Sequence, residues 1–260
     1  MAGPETALVA IDPVKAVALL KAAGVEGVEA LSAEDQVALV QALQADVANA
    51  AQQTQYRPGR FSIDHRARKF RDDLGDLRAE LKGVVIYNHR ARGRWLENEK
   101  VPACSSMDGI HGSESDGKPI SCATCPFNPQ VSGQWGAKES CKEMKRLFVL
   151  LEGERYPVLL TLPPTSLKPW DQFVSALQRR GKALISAYTI FGLDSAEAHG
   201  QTFAKISPTM GPALPAQTIL QLAKVKEEVV RVASQIGIEE TDYAKSDDET
   251  PPAPSSSEGF

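Results

Sequence analysis

The chain has 260 residues, of which 42% are hydrophobic and 24% charged, and its formal net charge is -4. That length can bury a substantial core, and no apolar run reaches the roughly 20 residues that a membrane-spanning helix needs. A helical membrane protein is excluded, and a net negative charge taken alone argues against a nucleic-acid partner.

Residues 13–24 and 33–52 carry helical periodicity, with Ala16, Leu19 and Leu20 on one face and Val37, Leu39, Val40 and Leu43 on another. Ser32 followed by Asp35 reads as a helix start. This Ala-rich pair, residues 1–55, is expected to be a helical arm that docks or forms a homo-oligomer. Gln52–Gln55 and Arg57-Pro58-Gly59 lead out of it.

A second region, 56–212, opens with a strand at Val84–Tyr87 that continues in alternation through Trp95. A Gly-, Pro- and Ser-rich excursion follows, within residues 101–146. Leu147–Leu151 and Val158–Leu162 then flank Glu152-Gly153-Glu154 as a hairpin. Ser166 to Arg180 is an amphipathic helix with Trp170, Phe173, Val174 and Leu177 on its apolar face, where Trp170 reads as core. Two strands follow, Ala183–Phe191 and Thr202–Ser207. The order strand, excursion, two strands, helix, two strands predicts an α+β fold built on a five-stranded OB-like barrel. A last helix is expected within 213–237. From Ile238 to Phe260 the chain turns acidic and Pro/Ser-rich, and this segment is expected to be a disordered tail.

The cysteines are Cys104, Cys122, Cys125 and Cys141, all in the excursion. The start Met1-Ala2-Gly3-Pro4-Glu5 has neither the basic nor the apolar part of a signal peptide, so a cytoplasmic location is expected. In a reducing compartment, cysteines clustered this way point to metal rather than disulfides. Cys122-Ala-Thr-Cys125 is a Cys-x-x-Cys knuckle that presents two sulfurs to one side. With Cys104 and Cys141 it predicts one structural zinc ion in a zinc-ribbon-like insertion, with no position left open for catalysis. An iron–sulfur cluster is the alternative, and His111 in place of Cys104 is an alternative ligand.

Charge is unevenly spread. Residues 1–55 hold 2 Lys/Arg against 7 Asp/Glu, residues 56–200 hold 22 against 17, and residues 201–260 hold 5 against 9. The basic excess lies between Arg57 and Arg94, a basic centre between acidic ends. Cations interleaved with rings suit single-stranded nucleic acid. The predicted contacts are Tyr87, Arg90, Arg92, Arg94 and Trp95, with Lys138, Lys142 and Arg146 added from the excursion and its exit. Alternation places Tyr87, His89 and Ala91 on one face and the three arginines on the other.

Cys104-Ser-Ser-Met-Asp-Gly, Cys122-Ala-Thr-Cys125-Pro-Phe-Asn and Cys141-Lys-Glu-Met, together with an acidic tail ending in Phe260, resemble bacteriophage zinc-containing single-stranded DNA-binding proteins. That resemblance implies a non-catalytic protein of DNA replication or recombination, acting in the host cytoplasm. It also implies that Asp247, Asp248, Glu249 and Phe260 recruit partner proteins. Two other expectations stand beside it: a zinc-ribbon adaptor that binds protein and not DNA, and a nucleic-acid-processing enzyme.

Overall fold

The computed structural model describes residues 13–53, 57–97, 99, 101–134, 139–198, 201–239 and 242. The chain divides into two compact units, Met1–Arg57 and Pro58–Phe260. Among the described residues no helix is long and apolar enough to cross a membrane.

The first unit pairs α1 (Pro13–Ala22) with α2 (Ala33–Gln53) across a 3-10 turn at Val28–Ala30. Ala16, Leu20, Val28 and Val40 are its buried centre. The Ser32 hydroxyl accepts the Asp35 N–H at 3.1 Å and donates to the Asp35 carboxylate at 2.6 Å. The helix thus begins where the Ser32 hydroxyl, steadied by the Asp35 carboxylate, satisfies the Asp35 amide, which has no partner within the first turn.

The second unit contains β1 (Arg60–Asp64), β2 (Lys69–Asp72), β3 (Leu77–Arg78) and the long β4 (Leu81–Arg94). The excursion carries β5 (Cys104–Ser106), β6 (His111–Glu114), β7 (Pro119–Ser121) and a short α3 (Pro129–Ser132). Next come β8 (Lys142–Leu151), β9 (Val158–Leu162), α4 (Pro164–Arg179), β10 (Ala187–Ala198), β11 (Gln201–Ala213) and α5 (Ala216–Ala233). All the strands join one sheet in the order β3-β2-β1-β9-β8-β4-β5-β6-β7, with β10 pairing both β4 and β11.

The α+β class holds, but the five-stranded barrel does not: this is an open, mixed sheet of 11 strands. The elements named in advance follow in the expected order from β4 onward, but β1, β2 and β3 precede them, three more strands lie in the excursion, and the pairing differs too. The outer edge of β9, which a barrel would need for closure, is taken by β1 in parallel, with Arg60 opposite Leu159 and Phe61 opposite Leu160. Near β11, the Ile206 N–H donates at 3.0 Å to the buried Ser166 hydroxyl of α4. A helix therefore stands where a closing strand would.

Both faces of the central sheet are sealed. On one, Val85, Leu147, Val149, Leu160 and Leu162 pack with Trp170 and Phe173 of α4, and with Phe191 and Ile206. Trp170 is fully buried, in agreement with its reading as core. On the other face, Val84, Ile86, Phe148 and Leu159 lie under Leu222, Val229 and Ala233 of α5. The C-terminal helix is thus integral to the second unit and does not form a separate domain.

The boundary assigned to the acidic tail also moves. Ile238 is buried against Ala91, Trp95 and Met144. Asp242 is buried as well, accepting from the Thr161 hydroxyl at 2.8 Å, from the Glu239 N–H at 3.0 Å and from Arg60. An acidic segment read as unable to order itself is held by two arginines of the sheet, Arg60 and Arg146.

Candidate functional site

The excursion is built by three short antiparallel strands. Cys104 opens β5 opposite Arg94 of β4 and Glu114 of β6. Cys122 follows β7, and its N–H donates to the Ile110 carbonyl at 2.9 Å. Cys141 precedes β8, and its N–H donates to the Phe127 carbonyl at 2.7 Å. These three anchors and the knuckle bring Cys104, Cys122, Cys125 and Cys141 to line one small cavity with Arg92, Ser106, Ile120 and Asn128. All four are free thiols.

Gly112 keeps the cradle open, because a Cβ there would lie 2.9 Å from Ile120 Cγ2 and 3.3 Å from Cys104 Sγ. His111 does not join the cysteines. Its exposed ring bonds through Nδ1 to Asp108 at 2.7 Å. Among the described residues, no group of three or more His, Cys, Asp or Glu side chains is set as a ready-made metal site. The cysteines encircle the cavity without already standing as a coordination set.

Electrostatics explains what such a cluster lacks. Burial pushes the Cys141 thiol up to about 12, with Arg92 pulling against it and the other three thiols adding to it. Cys104 is raised by burial and by Cys125 and Cys122, with Arg94 opposing. Thiols in this state keep their protons until a cation replaces them. The donor set (four sulfurs, half to fully buried, none in a disulfide) fits a thiophilic divalent ion.

The arginines of β4 support this loop. Arg92 is 6% exposed and donates to Asn128 Oδ1 at 2.7 Å, Gln130 Oε1 at 3.2 Å and Glu143 Oε2 at 3.1 Å. Asn128 passes the restraint on to the knuckle. Its Nδ2 donates to the Cys122 carbonyl at 2.7 Å and its N–H to the Cys125 carbonyl at 3.0 Å. The Arg94 guanidinium lies 3.9 Å from the Phe127 ring centroid.

The remaining residues expected to touch DNA do not form one surface. Trp95 is 7% exposed, packed with Ala91, Met144 and Ile238. Arg146 is 0% exposed and donates to the Ile236 and Gly237 carbonyls at 2.7 and 3.0 Å. Burial lowers its guanidinium to about 10. Arg92, Trp95 and Arg146 are therefore internal, because each is used to tie distant segments together. Tyr87 is half-buried and stacks on His89 at 5.6 Å. Lys142 is half-buried and donates to the Ser140 hydroxyl at 3.0 Å. Arg90 stays exposed, 3.8 Å from Glu143. Alternation did separate the faces as expected. Lys138, Asp247, Asp248, Glu249 and Phe260 lie outside the described residues.

Sequence reasoning overlooked the β1–β2 hairpin. Its turn, His65–Arg68, and the start of β2 carry Arg66, Arg68 and Lys69, all exposed. The Asp64 carboxylate accepts the Ala67 N–H at 2.7 Å and bonds Arg71 at Nε, 3.2 Å. Those partners hold Asp64 below the usual range against the opposing push of burial. Arg68 has φ 51°, a left-handed conformation that costs a side-chain-bearing residue about 1 kcal/mol. The basic run was visible in the sequence, but strands this short and this charged give no periodic signal.

No family model, no curated protein and no solved structure matches the chain.

Proposed function

We propose that this chain is a non-catalytic single-stranded DNA-binding protein, stapled by one zinc ion held by Cys104, Cys122, Cys125 and Cys141. The observation that carries the nucleic-acid reading is the cation distribution after folding. Arg66, Arg68, Lys69, Arg71, Arg78 and Arg90 remain exposed in a chain whose net charge is negative. The metal reading is supported by the four thiols around one cavity. Zinc, when bound, supplies a closed crosslink between strands and turns and leaves no coordination position for a reaction. Free, clustered thiols suit the cytoplasm. The resemblance to phage DNA-binding proteins makes replication or recombination the setting, with partner proteins reached through the C-terminal residues.

The test is anisotropy of labelled oligo-dT with the zinc-loaded full-length chain, titrated with salt. Binding that weakens steeply with salt is expected, since phosphate contacts release counterions. Absence of binding at low salt would leave the protein-binding adaptor as the better reading. The burial of Arg92, Trp95 and Arg146 already favours that reading along β4, its exit and β8.

A further inference from the structure

We propose that the β1–β2 hairpin grips the phosphate backbone of the nucleic acid. This assignment rests on the nucleic-acid reading above and moves the contact away from β4. Residues 65–71 contain Arg66, Arg68, Lys69 and Arg71 and no carboxylate. Of the acids that flank it, Asp64 is occupied by Arg71 and by the Ala67 amide, Asp72 accepts the Leu74 and Asp76 amides, and Asp73 accepts the Arg60 amide. Among the described residues, no carboxylate pairs with Arg66, Arg68 or Lys69.

The hairpin is also held in shape before any ligand arrives. Phe70 is fully buried, fixing β2 to the core, while Lys69 and Arg71 on either side of it stay exposed. Asp64 pins the turn from within. Arg68 occupies a backbone conformation where glycine would be relaxed, so the chain retains a cation at the cost of local strain. Pre-ordered cations lose less freedom on binding than mobile ones.

The rest of the sheet offers less. One face lies under α4 and the other under α5 and Ile238. Arg90 and Arg92 of β4 are matched by Glu143, and Arg94 lies on Phe127. The only ring in the tip is His65. Contacts from the hairpin therefore go to phosphates, which makes binding electrostatic and tolerant of base sequence.

The experiment compares the zinc-loaded full-length protein with R66E/R68E/K69E, the neutral R66Q/R68Q/K69Q, and R179E/R180E at the exposed end of α4. Each is titrated with salt against labelled oligo-dT and against phosphatidylserine vesicles, with circular dichroism melts to verify folding. Neutralising three contacts should flatten the slope of log affinity against log salt by about 2. It should also weaken binding at least about tenfold at 0.1 M salt, while R179E/R180E binds like the parent. A folded hairpin variant with parental affinity and slope would overturn the hairpin assignment while leaving DNA binding intact. A parent protein that ignores oligo-dT would sink the nucleic-acid reading itself. If that protein binds the vesicles through these same three residues, the hairpin's partner is a lipid surface instead.

Discussion

His89 shows how a single residue can set a pH limit on the fold. It lies half-buried beside Tyr87 and Phe148. Its Nδ1 is 2.7 Å from the Met107 carbonyl, so the proton must sit on that nitrogen for the bond to form. Burial holds its pKa below the ordinary histidine value, and the nearby Arg146 charge adds to the effect. The unfolded chain therefore takes up this proton first as pH falls below about 6.5. His89 contributes stability that is complete above that value and is lost as pH drops toward its lowered folded pKa. Thermal melts of zinc-loaded protein at pH 7.5 and 5.5 should show the loss, and His89→Gln should lose less between the same two points. An equal loss in both proteins would mean that His89 is not the group titrating.

At the scale of elements, the knuckle and β4 depend on one side chain. Asn128 joins Arg92 to the carbonyls of Cys122 and Cys125 and caps α3 through the Gln130 N–H at 3.1 Å. Asn128→Ala would leave the Arg92 guanidinium and the Gln130 amide short of a buried acceptor, at about 1–3 kcal/mol. Supporting contacts of this kind are commonly worth 10–100-fold in metal affinity. Zinc transfer to a chromogenic chelator should accordingly be about tenfold faster or more in Asn128→Ala than in the parent chain. Unchanged release would show that the four cysteines hold their geometry without this support. Such partnerships explain what could be read in advance. Local signals were legible: the cap at Ser32 and Asp35, the apolar stripe of Trp170, Phe173 and Leu177, and the cysteine knuckle. Alternation along β4 told which residues share a face. It could not tell that Arg92 turns inward, because Asn128 and Glu143 reach it from far along the chain. The barrel failed for the same reason, since the parallel pairing of β1 with β9 leaves no trace in either strand's own pattern.

At the scale of the whole second unit, residues 236–239 together with Asp242 form a strap. It touches Arg60 on β1, Thr161 on β9, Arg146 on β8, and Ala91 on β4, strands that are successive neighbours in the sheet. Composition marks these residues as tail because their acids have no partners nearby in sequence. Their partners are two arginines that the folded sheet would otherwise bury without compensation. Cutting the chain after Gln235 removes the buried Ile238 side chain, worth about 1.5–3 kcal/mol. It also strips the carboxylate from Arg60 and Arg146, where breaking a buried pair costs about 3–5 kcal/mol. A sum near 5 kcal/mol is a large share of the 5–15 kcal/mol typical of folded proteins. It corresponds to a melting temperature lower by about 10 °C or more for a unit of this size. A chain cut after Asp242 keeps every one of these contacts and should melt with the full-length protein, which separates the strap from the acidic residues beyond it. If the chain ending at Gln235 melts like the full-length protein, the strap only rests on the sheet, and β1 is held by its pairing with β9 and by the core packing of Phe61 and Ile63.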